Sequence, residues 1–170
     1  EHQVADGKTS FYDYVKLVFS TQFYSLDFKI RSFKQFHQEN QAKGSKNGNN
    51  GDKRIMLSGI MPPSLEIIRA LEKNGFRIVG NDLGPFTRAN ACTLSLGEFE
   101  NPESYYVKFY RLHFPCPTLL YTNDARLNAI EEIMRNSKAQ GMIFFGEKYC
   151  EYEYFELPSL RRSMKERGYQ

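Results

Sequence analysis

Three short apolar runs, separated by segments with helical patterning, constrain the fold of this chain most strongly. Residues 54–59, 76–79 and 141–145 read as buried strands because glycine, polar residues or turn signals bound each run. A helix is predicted to open at 62–64, where two prolines precede a serine, and further helices are predicted at 124–138 and 158–167. The order strand, helix, strand, insert, helix, strand, helix predicts an α/β fold with a doubly wound parallel sheet of the Rossmann or flavodoxin type.

The first third of the chain predicts one long helix over about residues 12–41. A capping box opens it at Ser10-Phe11-Tyr12-Asp13. Its apolar stripe is more typical of packing on a neighbouring domain or subunit than of contact with a cofactor. The stripe recurs at spacings of three and four: Val15, Phe19, Phe23, Leu26, Ile30 and Phe33.

A run rich in glycine and asparagine follows this helix and predicts a flexible linker. The expected domains are therefore a helical segment at 1–43, a linker at 44–53 and an α/β domain at 54–170. Because no strand returns to the sheet after the last predicted helix, we expect the α/β domain to be part of a larger two-domain subunit.

Composition excludes several classes of protein. The 170 residues are 41% hydrophobic and 25% charged, which is ordinary for a globular protein. A net charge of +3 without a lysine or arginine cluster does not favour a nucleic-acid partner. No apolar run is long enough for a membrane helix, and no secretory signal is visible. Three cysteines do not form a disulfide scaffold, so we expect a cytoplasmic, reducing location with cysteines that are free or metal-bound.

Two cysteines occupy positions where an α/β fold can use them. Cys150 follows the third predicted strand, and Cys116 lies between two prolines. Because the carboxyl ends of parallel strands share one edge, Cys150, Gly59 and Asp82 are expected to share a crevice that Cys116 could also reach. Thiolates suit iron–sulfur clusters, zinc or copper. The alternative is that each cysteine is an inert, buried small residue, since the chain contains no C-x-x-C motif.

Four polar side chains are further candidates for a chemical role. Asp82 either caps a turn or contacts a substrate. Arg88 and Arg126 either hold a phosphate or carboxylate group or play a structural role. His113 is a conceivable ligand or acid, although a lone histidine is more often structural. The acidic side chains near the last helix are expected to form a solvated face or to begin that helix: Glu151, Glu153 and Glu156.

A series of short motifs in a fixed order carries a family resemblance over residues 54–168. They are Leu57-Ser58-Gly59, Asn81-Asp82-Leu83, Thr87-Arg88, Pro115-Cys116-Pro117, Asn123-Asp124-Ala125-Arg126-Leu127, Gly141-Met142-Ile143-Phe144-Phe145, Lys148-Tyr149-Cys150-Glu151 and Phe155-Glu156-Leu157-Pro158-Ser159-Leu160. In these motifs the chain resembles the 2-hydroxyacyl-CoA dehydratase and benzoyl-CoA reductase family. The resemblance is to the second α/β domain of that family's iron–sulfur subunits.

The resemblance implies a [4Fe–4S] cluster held between two domains by three cysteines. Two of those ligands match Cys116 and Cys150, and the third is expected outside this chain, whereas Cys92 matches no ligand position. Tyr149 and Glu151 stand where the family often has Phe and Asp, which changes polarity beside the cluster without removing a ligand. No catalytic residue is assigned, and Asp82 and Arg88 are the candidates for substrate binding.

The resemblance also implies a function. It predicts the iron–sulfur subunit of an ATP-activated acyl-CoA dehydratase or reductase, a lyase or oxidoreductase component of anaerobic metabolism. Such a subunit receives a low-potential electron from an ATP-hydrolysing activator protein, passes it to an acyl-CoA thioester, and pairs with a related iron–sulfur subunit. Two alternatives remain open: a non-catalytic, cluster-bearing electron-transfer or scaffold subunit, and a cluster-free α/β binding domain.

Overall fold

A computed structural model describes residues 2–42, 51–90, 94, 101–116 and 123–169. Most of the predicted linker, together with Cys92 and Pro117, lies outside these residues. Three strands, β1 (Lys53–Gly59), β2 (Phe76–Asn81) and β3 (Gly141–Phe145), form one parallel sheet in the order β2-β1-β3. This order is the flavodoxin type of doubly wound topology, and the predicted fold class is confirmed.

Helices connect and flank the strands. They are α1 (His2–Ala5), α2 (Phe11–Thr21), α3 (Leu26–Ala42), α4 (Leu65–Lys73), α5 (Pro102–Leu112), α6 (Asn123–Ser137) and α7 (Glu151–Glu166), and one π-helical turn spans Gly84–Arg88. None of the helices in the described ranges has both the length and the apolar character needed to cross a membrane.

The chain divides into two compact units. Unit 1 comprises Glu1–Met56, Pro63–Gly80 and Met134–Ile143, and unit 2 comprises Leu57–Pro62, Asn81–Ile133 and Phe144–Gln170. The carboxyl-terminal residues of all three strands therefore belong to unit 2, which also contains both predicted cysteine ligands.

Unit 1 is built around the packing of α2 on α4. Phe11 and Val15 of α2 and Ile68 of α4 are buried. The Glu72 carboxylate accepts the backbone N–H of Phe11 at 2.8 Å, which fixes the start of α2 against α4. The predicted cap is present, since the Ser10 hydroxyl accepts the N–H of Asp13 at 3.0 Å.

The predicted single N-terminal helix is wrong in one respect, because a turn at residues 22–25 divides it into α2 and α3. The Tyr24 N–H donates to the Thr21 carbonyl in this turn, and the Ser25 hydroxyl accepts the N–H of Phe28 at the start of α3. The apolar stripe is exposed from the turn onward: Phe23 in the turn has 91% of its surface open to solvent, and Leu26 at the start of α3 has 72%.

Unit 2 has its own apolar core, which includes Leu83, Phe86, Ile130 and Leu160. Residues 105–110, for which the sequence did not decide between strand and helix, belong to α5. The last helix begins at Glu151 instead of the predicted residue 158, and Pro158 lies inside it. The sequence prediction treated this proline as a first-turn residue, the position that prolines prefer in helices.

Candidate functional site

The end of β1 comes very close to the end of β3 in unit 2. Gly59 closes β1 with φ of +149°, and a Cβ atom at this position would lie 2.2 Å from the carbonyl oxygen of Phe145. Only glycine fits this close approach. In the order β2-β1-β3 the topological switch point lies between β1 and β3, where doubly wound folds place their ligand crevice.

Asp82 anchors a group of buried charges at this edge. It directly follows β2, and its backbone N–H donates to the carbonyl of Leu57 at 3.1 Å. Its fully buried carboxylate lies 2.8 Å from Arg126 Nη2 and 3.5 Å from Arg88 Nη2. The contact between Asp82 Oδ2 and Arg126 is an ion pair without hydrogen-bond alignment, since Arg126 Nη2 has no hydrogen-bond partner among the described residues. The other carboxylate oxygen, Asp82 Oδ1, has no partner among them either.

Arg88 lies at the centre of these charges. It is the last residue of the π-helical turn, and its Nη2 donates to the carbonyl of Gly59 at 2.9 Å. Burial lowers the pKa of Arg88, and the negative charges of Asp82, Cys116 and Glu153 oppose that effect. Arg88 is therefore within electrostatic reach of the Cys116 thiol and of a carboxylate three residues after Cys150.

Arg126 joins α6 to α7. Only 1% of its surface is exposed, and its Nε donates to Glu156 Oε2 at 2.8 Å. Its Nη1 reaches the carbonyl of Pro115 at 3.5 Å, so the same guanidinium contacts the backbone immediately before Cys116. Burial raises the pKa of Glu156, and the neighbouring charge of Arg126 only partly offsets this.

The sequence predicts that the three acidic side chains form a solvated face or begin the last helix, and the second alternative holds for Glu151 and Glu153, which lie in the first turn of α7. The solvated face is wrong for two of the three residues. Glu153 is fully buried and Glu156 is 6% exposed, whereas Glu151 is exposed as expected. The reason is the earlier start of α7, which turns Glu153 and Glu156 inward, where Glu156 meets Arg126.

Cys150 occupies the N-cap position of α7 at the end of a tight turn. Its backbone N–H donates to the Glu147 carbonyl at 3.0 Å, and Tyr149 within the turn has φ of +71°. The Glu153 carboxylate accepts the N–H of Glu147 at 2.8 Å, so a side chain from the first turn of α7 closes the turn. The Cys150 side chain makes no capping hydrogen bond.

The structure therefore collects most of the predicted site residues around one polar cluster. Asp82 contacts both Arg88 and Arg126, and Arg88 is within electrostatic reach of Cys116. His113 ends α5, where its ring contacts the carbonyl of Tyr110. Asp82 and Arg88 bind each other, and their assignment to substrate stays a prediction.

The donor atoms can be compared with the requirements of an iron–sulfur cluster. Cys116 and Cys150 are both thiols and both partly exposed, and thiolate sulfur is the usual ligand of such clusters. No group of three or more His, Cys, Asp or Glu residues within the described ranges is arranged to hold a metal ion. The two thiols thus fit a cluster as part of its ligand set, with further ligands supplied from elsewhere.

Two buried contacts were missed by sequence reasoning. The pairing of Arg126 with Glu156 spans 30 residues, and no local pattern marks it. The second contact, made by Glu153, has a pattern in the sequence that predicts it. A glutamate three residues after an N-cap residue is the capping-box arrangement. The N-cap residue here is a cysteine instead of serine or threonine, and the pattern was not recognised.

The fold and the site define a doubly wound α/β domain in which unit 2 holds two thiols and a buried ion cluster. Residues 3–170 match the family described as "2-hydroxyglutaryl-CoA dehydratase, D-component". The chain belongs to this family, and the predicted membership of the 2-hydroxyacyl-CoA dehydratase family is confirmed.

A characterised dehydratase subunit is similar in sequence to this chain. The chain is 30% identical over 125 residues to the "(R)-phenyllactyl-CoA dehydratase beta subunit" of Clostridium sporogenes. The matched region covers 68% of this chain and 30% of that protein. The chain thus spans less than a third of this relative's length. Its family is that of a subunit of an acyl-CoA dehydratase, a lyase-type enzyme with more than one component.

Proposed function

We propose that this chain supplies two thiolate ligands, Cys116 and Cys150, to a [4Fe–4S] cluster in an acyl-CoA dehydratase. One observation carries the proposal: both thiols lie in unit 2, and each is close in sequence to a group that interacts with the same buried ion cluster. The Pro115 carbonyl, immediately before Cys116, accepts from Arg126 at 3.5 Å. Arg88 is within electrostatic reach of Cys116 and of Glu153, and Glu153 closes the turn that precedes Cys150.

The chain's own residues have three tasks in this proposal. They fix the backbone on either side of the thiols, they keep water from the inner face of the site, and they balance charge. Arg88 places positive charge beside Cys116, which suits an anionic sulfur ligand. The side chains of Asp82 and Arg126 are buried and therefore exclude solvent from the ion cluster at the strand ends.

The cluster would bring the chemistry that these side chains lack. When bound, it supplies low-potential one-electron reduction of an acyl-CoA thioester, and an open iron site can polarise the thioester carbonyl. The substrate we propose is a 2-hydroxyacyl-CoA that undergoes dehydration; reduction of a benzoyl-CoA-type ring is the second possibility. The remaining components of the proposal are a third cysteine ligand from outside this chain, a related subunit and an ATP-hydrolysing activator protein.

The test is metal analysis of the full-length protein purified without oxygen. We expect about four irons and four acid-labile sulfides per subunit, together with an EPR signal after reduction. Cys116→Ser and Cys150→Ser should each lower the iron content, whereas Cys92→Ser should leave it unchanged. Absence of iron from the wild-type protein would refute the cluster and favour a cluster-free binding domain.

A second measurement separates the catalytic reading from the scaffold reading. Iron-loaded protein with its partner subunit and activator should eliminate water from a 2-hydroxyacyl-CoA in an ATP-dependent assay. Iron content without binding or turnover of any acyl-CoA would favour the non-catalytic, electron-transferring alternative.

A further inference from the structure

We infer that Glu153 is the positioning residue that holds Cys150 in place for its role as a ligand. The inference rests on the proposed function, because it takes Cys150 to be a ligand. The hydrogen bond that Glu153 accepts comes from the Glu147 backbone N–H and not from the Cys150 thiol. Glu153 acts through the backbone of the turn at residues 147–150.

The turn needs an anchor, because its own conformation is unfavourable. Tyr149 adopts φ of +71°, a left-handed conformation that is strained for a residue with a Cβ. The turn has one internal hydrogen bond, from the Cys150 N–H to the Glu147 carbonyl at 3.0 Å. Glu153 adds a second, external bond by accepting the Glu147 N–H at 2.8 Å.

The arrangement resembles a capping box in which the glutamate bonds to a residue before the N-cap. A glutamate at the third position of a helix usually accepts the N–H of the N-cap residue. Here the N–H of Cys150 is already bonded to Glu147, and the carboxylate of Glu153 extends to the far end of the turn instead. The turn is therefore held without a capping bond from the Cys150 side chain, which leaves the sulfur available for a metal.

Glu153 also carries a charge that a purely structural acceptor would not need. The side chain is fully buried, and its Oε1 has no hydrogen-bond partner among the described residues. An amide could accept the same N–H without burying a charge. The charge interacts with Arg88, which is also within electrostatic reach of Cys116. Glu153 thus links the turn before Cys150 to Arg88, the cation within electrostatic reach of Cys116.

The test compares Glu153→Gln and Glu153→Ala with Glu151→Ala in the full-length protein purified without oxygen. Gln keeps an oxygen that can accept the Glu147 N–H but removes the charge, whereas Ala removes both. Glu151 is the matched control because it carries the same charge in the same turn of α7 and is exposed. Each variant is measured for iron content, for its EPR spectrum after reduction and for its reduction potential.

We expect Glu153→Gln to retain iron near the wild-type level with a reduction potential shifted to a more positive value, because a buried negative charge is lost. Glu153→Ala should lose at least half of its iron. Glu151→Ala should keep the wild-type iron content, and its reduction potential should shift less than that of Glu153→Gln, because the Glu151 charge is exposed to solvent. Rescue by the conservative variant identifies the bond to Glu147 as the part that retains the metal.

A measurement on cluster-free protein supplies an independent readout. Alkylation rates of Cys150 and Cys116 by iodoacetamide are followed peptide by peptide with mass spectrometry. In Glu153→Ala we expect the rate at Cys150 to change several-fold while the rate at Cys116 changes less. Equal changes at both thiols would show that Glu153 acts on overall stability and would overturn the inference.

The outcomes separate this inference from the function on which it rests. A wild-type protein without iron would refute the proposed function. A wild-type protein with iron, accompanied by a Glu153→Ala variant with unchanged iron content, spectrum and Cys150 alkylation, would refute the inference alone.

Discussion

Arg126 offers the sharpest test of the energetics, because its removal leaves a buried carboxylate without its main counter-charge. Arg126 is 1% exposed and lies 2.8 Å from both Glu156 and Asp82. Asp82 keeps a second partner in Arg88 at 3.5 Å, so Glu156 bears most of the loss. The substitution Arg126→Met preserves much of the apolar volume of the side chain and removes the charge.

The magnitude follows from two bounds. Breaking a buried ion pair by removing one partner costs about 3–5 kcal/mol. Glu156 can escape part of this by taking up a proton, and holding a carboxyl with an ordinary pKa of 4.5 neutral at pH 7 costs about 3.4 kcal/mol. We therefore expect Arg126→Met to lower the free energy of unfolding at pH 7 by about 3 kcal/mol.

The loss should depend on pH with a definite sign. In the variant the folded-state pKa of Glu156 rises further, because the favourable charge of Arg126 is gone. A raised folded-state pKa means that stability is retained below the ordinary pKa and lost as the pH rises above it. The difference between variant and wild type should shrink to about 1 kcal/mol at pH values below the ordinary pKa of Glu156, where this carboxyl is protonated in both.

Urea unfolding followed by far-UV circular dichroism at several pH values measures this difference. Arg162→Met, on the exposed surface of α7, is the control and should stay within about 0.5 kcal/mol of the wild type. The double variant Arg126→Met/Glu156→Gln should recover part of the stability and lose the pH dependence. A loss below about 1 kcal/mol at pH 7, or one that does not change with pH, would refute the reasoning.

Three further predictions concern single positions. Gly59→Ala should cost more than about 2 kcal/mol in urea unfolding, because the new Cβ would meet the Phe145 carbonyl oxygen at 2.2 Å. Glu72→Gln should gain stability relative to the wild type as the pH rises above about 4.5, because burial raises the pKa of Glu72 while the amide can still accept the Phe11 N–H. Tyr149→Gly should be neutral or raise the melting temperature, with a gain of up to about 1 kcal/mol, because φ of +71° is strained for tyrosine and not for glycine.

Each of these predictions has a matched control. Gly51→Ala should be almost silent, because no atom lies within 4 Å of its added Cβ. Glu66→Gln should show the opposite pH trend from Glu72→Gln, because hydrogen bonds from its own N–H and from Ser64 lower the pKa of Glu66. Tyr152→Gly, in the first turn of α7, should destabilise by up to about 1 kcal/mol. Controls that behave like the test variants would contradict the local explanations.

The strands were predictable because burial leaves a direct mark on their composition. The third predicted strand matches β3 at both ends, and the other two differ from β1 and β2 by only one or two residues. The break between α2 and α3 was not predictable from periodicity, since the apolar spacing continues across it in the same register. Only Ser25 marked it, as the residue whose hydroxyl accepts an N–H at the start of α3.

The location of the site in the fold was predictable from the sequence, but most of its side-chain contacts were not. Strand ends locate an edge of the sheet, which is how Gly59 and Asp82 were found together. The ion pairs at that edge depend on which face of α6 and of α7 carries each charged side chain. A misplaced start of α7 was therefore enough to put Glu153 and Glu156 on the wrong face.

The sparse packing of α3 has a consequence for the timescale on which its backbone opens. Asn40 is the only buried residue among those whose side chains the structure describes in this helix. A helix of 17 residues is barely stable from its own hydrogen bonds. Its amide protons should therefore exchange with solvent orders of magnitude faster than those of β1, whose residues 55–59 are buried. An increase in the exchange protection of α3 would then show, residue by residue, where a binding partner covers its exposed apolar side chains.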